Sequence, residues 1–155
     1  MISALVAVLI TGWMYYQFSH TVGELSSNDE IDGDFKVCNE DIIPNYYGMG
    51  TDHDGGRKAI KNKLLNNLQN LKFDNSGLIT FRFIVNCEGE IGRFRARSTD
   101  LNLEEIKIDS AKLKHIEEAL LSLKNWNPAK NEHSSYDSYY VLNFKIRNNQ
   151  IVDIF

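Results

Sequence analysis

At 155 residues, 43% hydrophobic and 25% charged, the chain is long enough for one ordinary domain with a short appendage, and its composition excludes collagenous, repetitive and wholly disordered classes. The net charge of −4 is unevenly placed: residues 1–37 hold Lys36 against Glu24, Asp29, Glu30, Asp32 and Asp34, and the remainder is balanced in sign. That balance excludes a nucleic-acid binder driven by net charge, and with only Pro44 and Pro128 there is no rigid proline-rich linker.

Residues 1–18 contain no charged side chain. The apolar run Ile2–Ile10 passes into Trp13, Tyr15, Tyr16 and Phe18, the composition of an interfacial aromatic belt, so a membrane anchor or signal segment is expected there. A cleaved signal peptide and a buried helix are the alternatives; neither a basic start nor an A-x-A site is present. Residues 19–54 read as an acidic tether followed by an extended stretch (Phe35–Cys38) and a loop (Pro44–Gly56).

The domain proper is expected over 55–155. Ile60, Leu64, Leu68 and Leu71 fall on one stripe of a helix at about 57–71. A hairpin follows over Ser76–Ser98. Ile79, Phe81, Phe83, Val85 and Cys87 alternate with polar or mixed positions, Gly89 supplies the turn, and the returning strand carries Arg93, Arg95 and Arg97. Asp109-Ser110 caps a second helix at about 110–124, with Leu113, Ile116, Leu120 and Leu123 as its stripe, ended before Pro128. A third strand, Ser138–Arg147, sets Tyr140, Leu142, Phe144 and Ile146 against Tyr139, Val141, Asn143, Lys145 and Arg147. Asn148-Asn149 then turns the chain into a last strand, Gln150–Phe155. The fold class expected is α+β: a two-layer sandwich with a small antiparallel sheet of three to four strands, covered on one face by two helices.

Over about 55–155 these residues resemble the TonB C-terminal domain family, the periplasmic end of bacterial energy transducers. The resemblance is carried by Gly55-Gly56, by Gly77-Leu78-Ile79-Thr80-Phe81-Arg82-Phe83-Ile84-Val85-Asn86, by Gly89-Glu90-Ile91, and by Trp126-Asn127-Pro128-Ala129 with the strand ending Asn143-Phe144. It implies a sheet whose free edge accepts a partner's extended peptide as an extra strand, in outer-membrane transport, with the domain periplasmic and anchored to the inner membrane of the bacterial cell envelope. The family's long proline-rich spacer and Tyr-Pro motif are missing here, which implies a domain working near its own membrane.

The third and terminal strands are the candidate edge, so Tyr139, Val141, Lys145, Arg147, Ile151 and Ile154 are candidate partner-binding residues, together with Arg93 and Arg95. The basic face (Arg82, Arg93, Arg95, Arg97, Lys145, Arg147) is either a solvated face paired with acids such as Glu90 and Asp137, or a docking face for an acidic partner, peptidoglycan or anionic headgroups. The rival function is an assembly module that homodimerises through its terminal strand. Cys38 and Cys87, the only cysteines, are either a disulfide in an exported domain or two buried thiols. Thr51–Gly56 lacks calcium-loop spacing and reads as a solvated loop. His20, His53, His115 and His133 lack zinc spacing, and nothing assembles a nucleophile, base and oxyanion set. No metal, cofactor or enzymatic activity is expected.

Overall fold

The computed structural model describes residues 2–21, 25, 27–43 and 50–155. Positions 22–24 and 26 of the expected tether and 44–49 of the expected loop lie outside the described residues. Among the described residues twelve elements follow one another: α1 (Ile2–Thr21), α2 (Asp29–Asp32), β1 (Asp52–His53), α3 (Gly56–Leu68), β2 (Gly77–Val85), β3 (Ile91–Thr99), α4 (Ser110–Leu121), β4 (Trp126–Asn127), β5 (Ala129–Lys130), β6 (Ser135–Tyr136), β7 (Ser138–Arg147) and β8 (Gln150–Ile154). The protein is mixed α+β around a four-stranded antiparallel sheet in the order β3-β2-β7-β8. Two short antiparallel pairs, β1 with β4 and β5 with β6, are separate from it.

Alternation sets the core. Ile79, Phe81, Phe83 and Val85 of β2 and Tyr140, Leu142, Phe144 and Ile146 of β7 are buried in one cluster with Ile60, Leu64 and Leu68 of α3 and Ile116 and Leu120 of α4. Asp109 caps α4 as its residue type requires, its side chain accepting from the Ala111 amide at 2.9 Å. Both helices stop about three residues short of expectation. Past α3 the Phe73 amide donates to the Asn149 carbonyl at 3.0 Å, which draws the chain toward the β7–β8 turn. Past α4 the Ser122 hydroxyl donates to the Ala119 carbonyl at 2.6 Å, and Asn125 reverses the chain with φ 69°. Helix α4 therefore closes before Pro128 is reached.

The two hairpin turns follow the sequence. Asn148 and Asn149 both take positive φ (49° and 64°), as a two-residue turn matched to strand twist demands. Gly89 has φ 81°, and a Cβ there would lie 2.5 Å from the Trp126 carbonyl oxygen, so the turn needs glycine for two reasons. The β2–β3 pairing departs from simple alternation. Arg82 opposes Arg95 while Ile84 opposes Gly92, so Arg93 and Phe94 together face the Phe83 position. This bulge holds Arg93 in the left-handed region at φ 57° and lets both Ile91 and Phe94 join the core. Strict alternation along β3 would instead put Ile91 on the face of Arg93, Arg95 and Arg97.

No helix of the described residues is long and apolar enough to cross a membrane. The spanning anchor expected over 1–18 is corrected accordingly: α1 forms, but its continuous apolar run stops at Ile10 and gives way to Gly12, Trp13, Tyr15, Tyr16 and Gln17. Val8, Leu9, Trp13 and Tyr15 are exposed on it.

Candidate functional site: the two sheet edges

The sheet has two outer strands, β3 and β8. Strand β8 pairs only with β7 among the described residues, through Phe144↔Ile154, Lys145↔Asp153, Ile146↔Ile151 and Arg147↔Gln150. The shift between Lys145 and Ile146 leaves Val152 as the extra residue of a bulge, 47% exposed, and Phe155 is 46% exposed. The Ile154 amide donates to the Asp153 carboxylate at 2.9 Å, and that carboxylate also receives Lys61 Nζ from α3. The Lys61 hydrogen bond holds the Asp153 carboxyl below its ordinary range. Natural sheets use such a charge to blunt an edge.

The expected edge residues divide on this geometry. Strand β7 lies between β2 and β8, so Lys145 and Arg147 sit at paired register positions facing Asp153 and Gln150. Tyr139 and Val141 lie in the part of β7 beyond the β8 register, with Arg82 5.6 Å over the Tyr139 ring. Ile151 packs against the core, and Ile154 belongs to it at 4% exposure. The side chains β8 offers to a partner are Val152 and Phe155, which the sequence singled out only as part of the strand.

Strand β3 is dressed. The segment expected to be a tether forms a strap across it. The Arg93 side chain, 2% exposed, donates through Nη1 and Nη2 to Glu40 and through Nη1 to the Leu25 carbonyl at 3.2 Å. Arg95 grips Asp32 of α2 with both Nη atoms, at 2.6 and 3.0 Å. Those hydrogen bonds hold the Asp32 and Glu40 carboxyls below the usual carboxylate range, and Glu40 raises Arg93. The Phe35 ring lies on Gly92, where a Cβ would come within 2.2 Å of it. Phe35–Cys38 forms no strand, and the chain bends at Cys38. At the other end of β3, Thr99 bridges Glu105, and the Ile106 amide donates to the Ser98 carbonyl at 3.0 Å.

Two features fasten the strap. Cys38 and Cys87 form a disulfide with Cα atoms 6.1 Å apart. Beside it the buried Asp137 carboxylate accepts the amides of Cys38, Asn39 and Cys87 at 3.0, 2.7 and 3.0 Å. Asn86 links the hairpin turn to the strap, donating from Nδ2 to the Lys36 carbonyl and to Glu90, both at 3.1 Å. The acids expected to neutralise the arginines, Glu90 and Asp137, serve amides instead; Asp32 and Glu40 from the strap do that work. Cys38, Cys87 and Asp137 bring possible ligand atoms within 4.8 Å of one another, but both sulfurs are spent in the disulfide.

A groove of about 450 Å³ runs between Phe35, Ile91, Leu121, Leu123 and Trp126. A smaller hollow of about 100 Å³ continues it past Ile31, Asp32, Arg93 and Glu117. Burial raises the Glu117 carboxyl above its ordinary value. Of the Thr51–Gly56 loop, expected to be solvated, Asp52, Asp54 and Gly55 are exposed, whereas Thr51 and His53 are buried. Thr51 and Ser138 share a hydroxyl hydrogen bond of 2.6 Å, and His53 is buried edge-on to Trp126 at 5.3 Å, because β1 pairs with β4. His115 is exposed on α4.

No protein-family model matches the chain, and no curated protein or solved structure matches it significantly.

Proposed function

We propose that residues 55–155 form a TonB-like binding module of the bacterial cell envelope, a two-layer sandwich that takes an extended segment of a partner protein as an added strand along β8. The observation that carries this reading is the asymmetry of the sheet: β3 is covered by the strap, whereas β8 has only β7 as a strand neighbour among the described residues. Main-chain hydrogen bonds to β8 supply affinity, with Val152 and Phe155 as apolar contacts beside them. A partner strand has to take the Ile154 amide from Asp153, so Lys61 and Asp153 act as a gate against indiscriminate pairing. The shared core of α3, α4, β2 and β7 favours the two-layer arrangement. The disulfide suits an oxidising compartment such as the periplasm, and the uncharged α1 with its exposed Trp13 and Tyr15 suits residence at a membrane surface.

The test places a photo-crosslinking residue at Val152 and, as a distant control, at Leu101. The reading expects crosslinks at 152 alone, to one extended segment of another protein. A synthetic copy of that segment should then protect β8 amides from hydrogen exchange, and Val152→Pro should abolish the protection. Crosslinks only to a second copy of this chain would replace the reading with homodimerisation. Equal labelling at both positions would overturn it.

A further inference from the structure

The basic patch of β3 presents a guanidinium arrangement that the strand-addition reading leaves unused. Arg93 is held in a left-handed backbone conformation, which costs energy for a side chain with a Cβ and marks a position whose direction matters. The bulge aims its guanidinium beneath the strap, where Glu40 and the Leu25 carbonyl meet it. Arg95 alongside makes a two-pronged grip on Asp32. Such paired, charge-assisted contacts are the geometry by which proteins recognise carboxylates. The occupant here is local: an acidic segment in which Ile31 and Phe35 flank Asp32 and line the adjoining hollow.

We propose that Arg93 and Arg95 form a recognition site for an acidic, apolar-flanked segment of a partner protein, which the strap fills in cis while the Cys38–Cys87 bond is closed. Charge complementarity selects this occupant. The strap shows the pattern the site takes, an acid with an apolar residue just before it and another three residues after it. This site lies on β3 and does not rest on strand addition at β8.

Two observations make the strap exchangeable. Glu40 keeps 56% of its side chain exposed although it pairs with a buried arginine, and Cys38 is an exposed residue. A dithiol reductant therefore has access to the bond. Its thiolate attacks Cys38 Sγ and Cys87 leaves as a thiolate. The second thiol of the reductant then displaces Cys38, so the chain gains two thiols as the reductant becomes a disulfide. The Asp137 carboxylate, which accepts the Cys38 and Asn39 amides, gives the strap a non-covalent hold that a competing acidic segment has to overcome once the bond is open.

The experiment titrates the full chain with a fluorescently labelled peptide of residues 27–41 carrying Cys38→Ser, before and after reduction with dithiothreitol. Reduction removes the covalent closure and should tighten binding of the peptide about thirtyfold to a thousandfold. A Cys38→Ser/Cys87→Ser chain should bind as the reduced chain does. Because removing the charge of Arg93 or Arg95 threatens the fold, Arg95→Lys, which keeps a cation beside Asp32 but loses the two-pronged contact, carries the site test and should weaken binding about tenfold. A peptide with Asp32→Asn and Glu40→Gln should fail to compete. Equal binding to oxidised and reduced chains, equal binding of the amide peptide, or no binding to the reduced chain at millimolar peptide would each overturn the proposal. So would a reduced chain that pairs with itself by exchanging straps, seen as a concentration-dependent dimer.

Discussion

The two outer strands of one sheet are finished in opposite ways. β3 is nine residues long, bulged at Arg93, overlaid by the strap at one end and bridged by Glu105 at the other. β8 is five residues long and guarded by one carboxylate that serves its own backbone and Lys61. A long exposed edge invites unwanted pairing, and β3 carries the covering such a strand needs. A short edge can be left available at less risk. The proposal that β8 is a docking edge rests on this contrast with the covered β3.

The comparison breaks most severely at the disulfide. Closing a loop of about 50 residues stabilises by about 4 kcal/mol in the chain-entropy model. Cys38→Ser with Cys87→Ser should lose most of that in chemical denaturation, with exchange protection falling along the strap and remaining on β8. Asp137→Ala should cost about 3 kcal/mol, since it strands the Cys38, Asn39 and Cys87 amides at a buried position; Asp137→Asn should cost less. Gly92→Ala should cost about 1–2 kcal/mol by displacing Phe35, and the shift should show in the strap's NMR signals rather than those of β8. Acid sharpens the contrast without mutation. Asp32 and Glu40 have depressed carboxyls in the folded chain, so their contribution is present above about pH 5 and lost as the pH falls through the lowered values. The protection factors of strap amides, taken relative to the unfolded chain at the same pH, should then fall while those of β7 stay high. At the small end, Phe155→Ser should change stability by no more than about 0.5 kcal/mol and should weaken partner binding alone.

Much of the sheet was legible because its signals are local. The apolar stripes at Ile60–Leu64–Leu68 and Ile116–Leu120, the alternation from Ile79 to Val85, and the Asn148-Asn149 turn each depend on neighbours in the chain. What local pattern could not show was the bulge, because nothing in Gly92-Arg93-Phe94 announces that one arginine folds under rather than out. Nor did composition distinguish a tether from a strap. An acidic, glycine-bearing stretch looks like a linker until Asp32 and Glu40 find arginines more than fifty positions away. Of the two strands expected to form the edge, only the terminal one lies there: β7 is interior, Ile154 is needed for the core, and Val152 is left outward by a register shift. The cysteine pair stood open between bond and thiols, since a disulfide depends on a Cα separation that spacing alone does not supply.

The strand order β3-β2-β7-β8 also sets a route for folding. Each outer strand reaches its neighbour through an adjacent tight turn, so β2–β3 and β7–β8 are local hairpins able to form on a microsecond scale. The central pairing, β2 with β7, joins segments separated by all of α4, and closing that loop is the slow step. Kinetic φ-values should therefore be highest at central pairs such as Phe81 and Leu142 and near zero at Phe35, whose docking follows the barrier. On this route the strap is expected to dock last, over a sheet already formed.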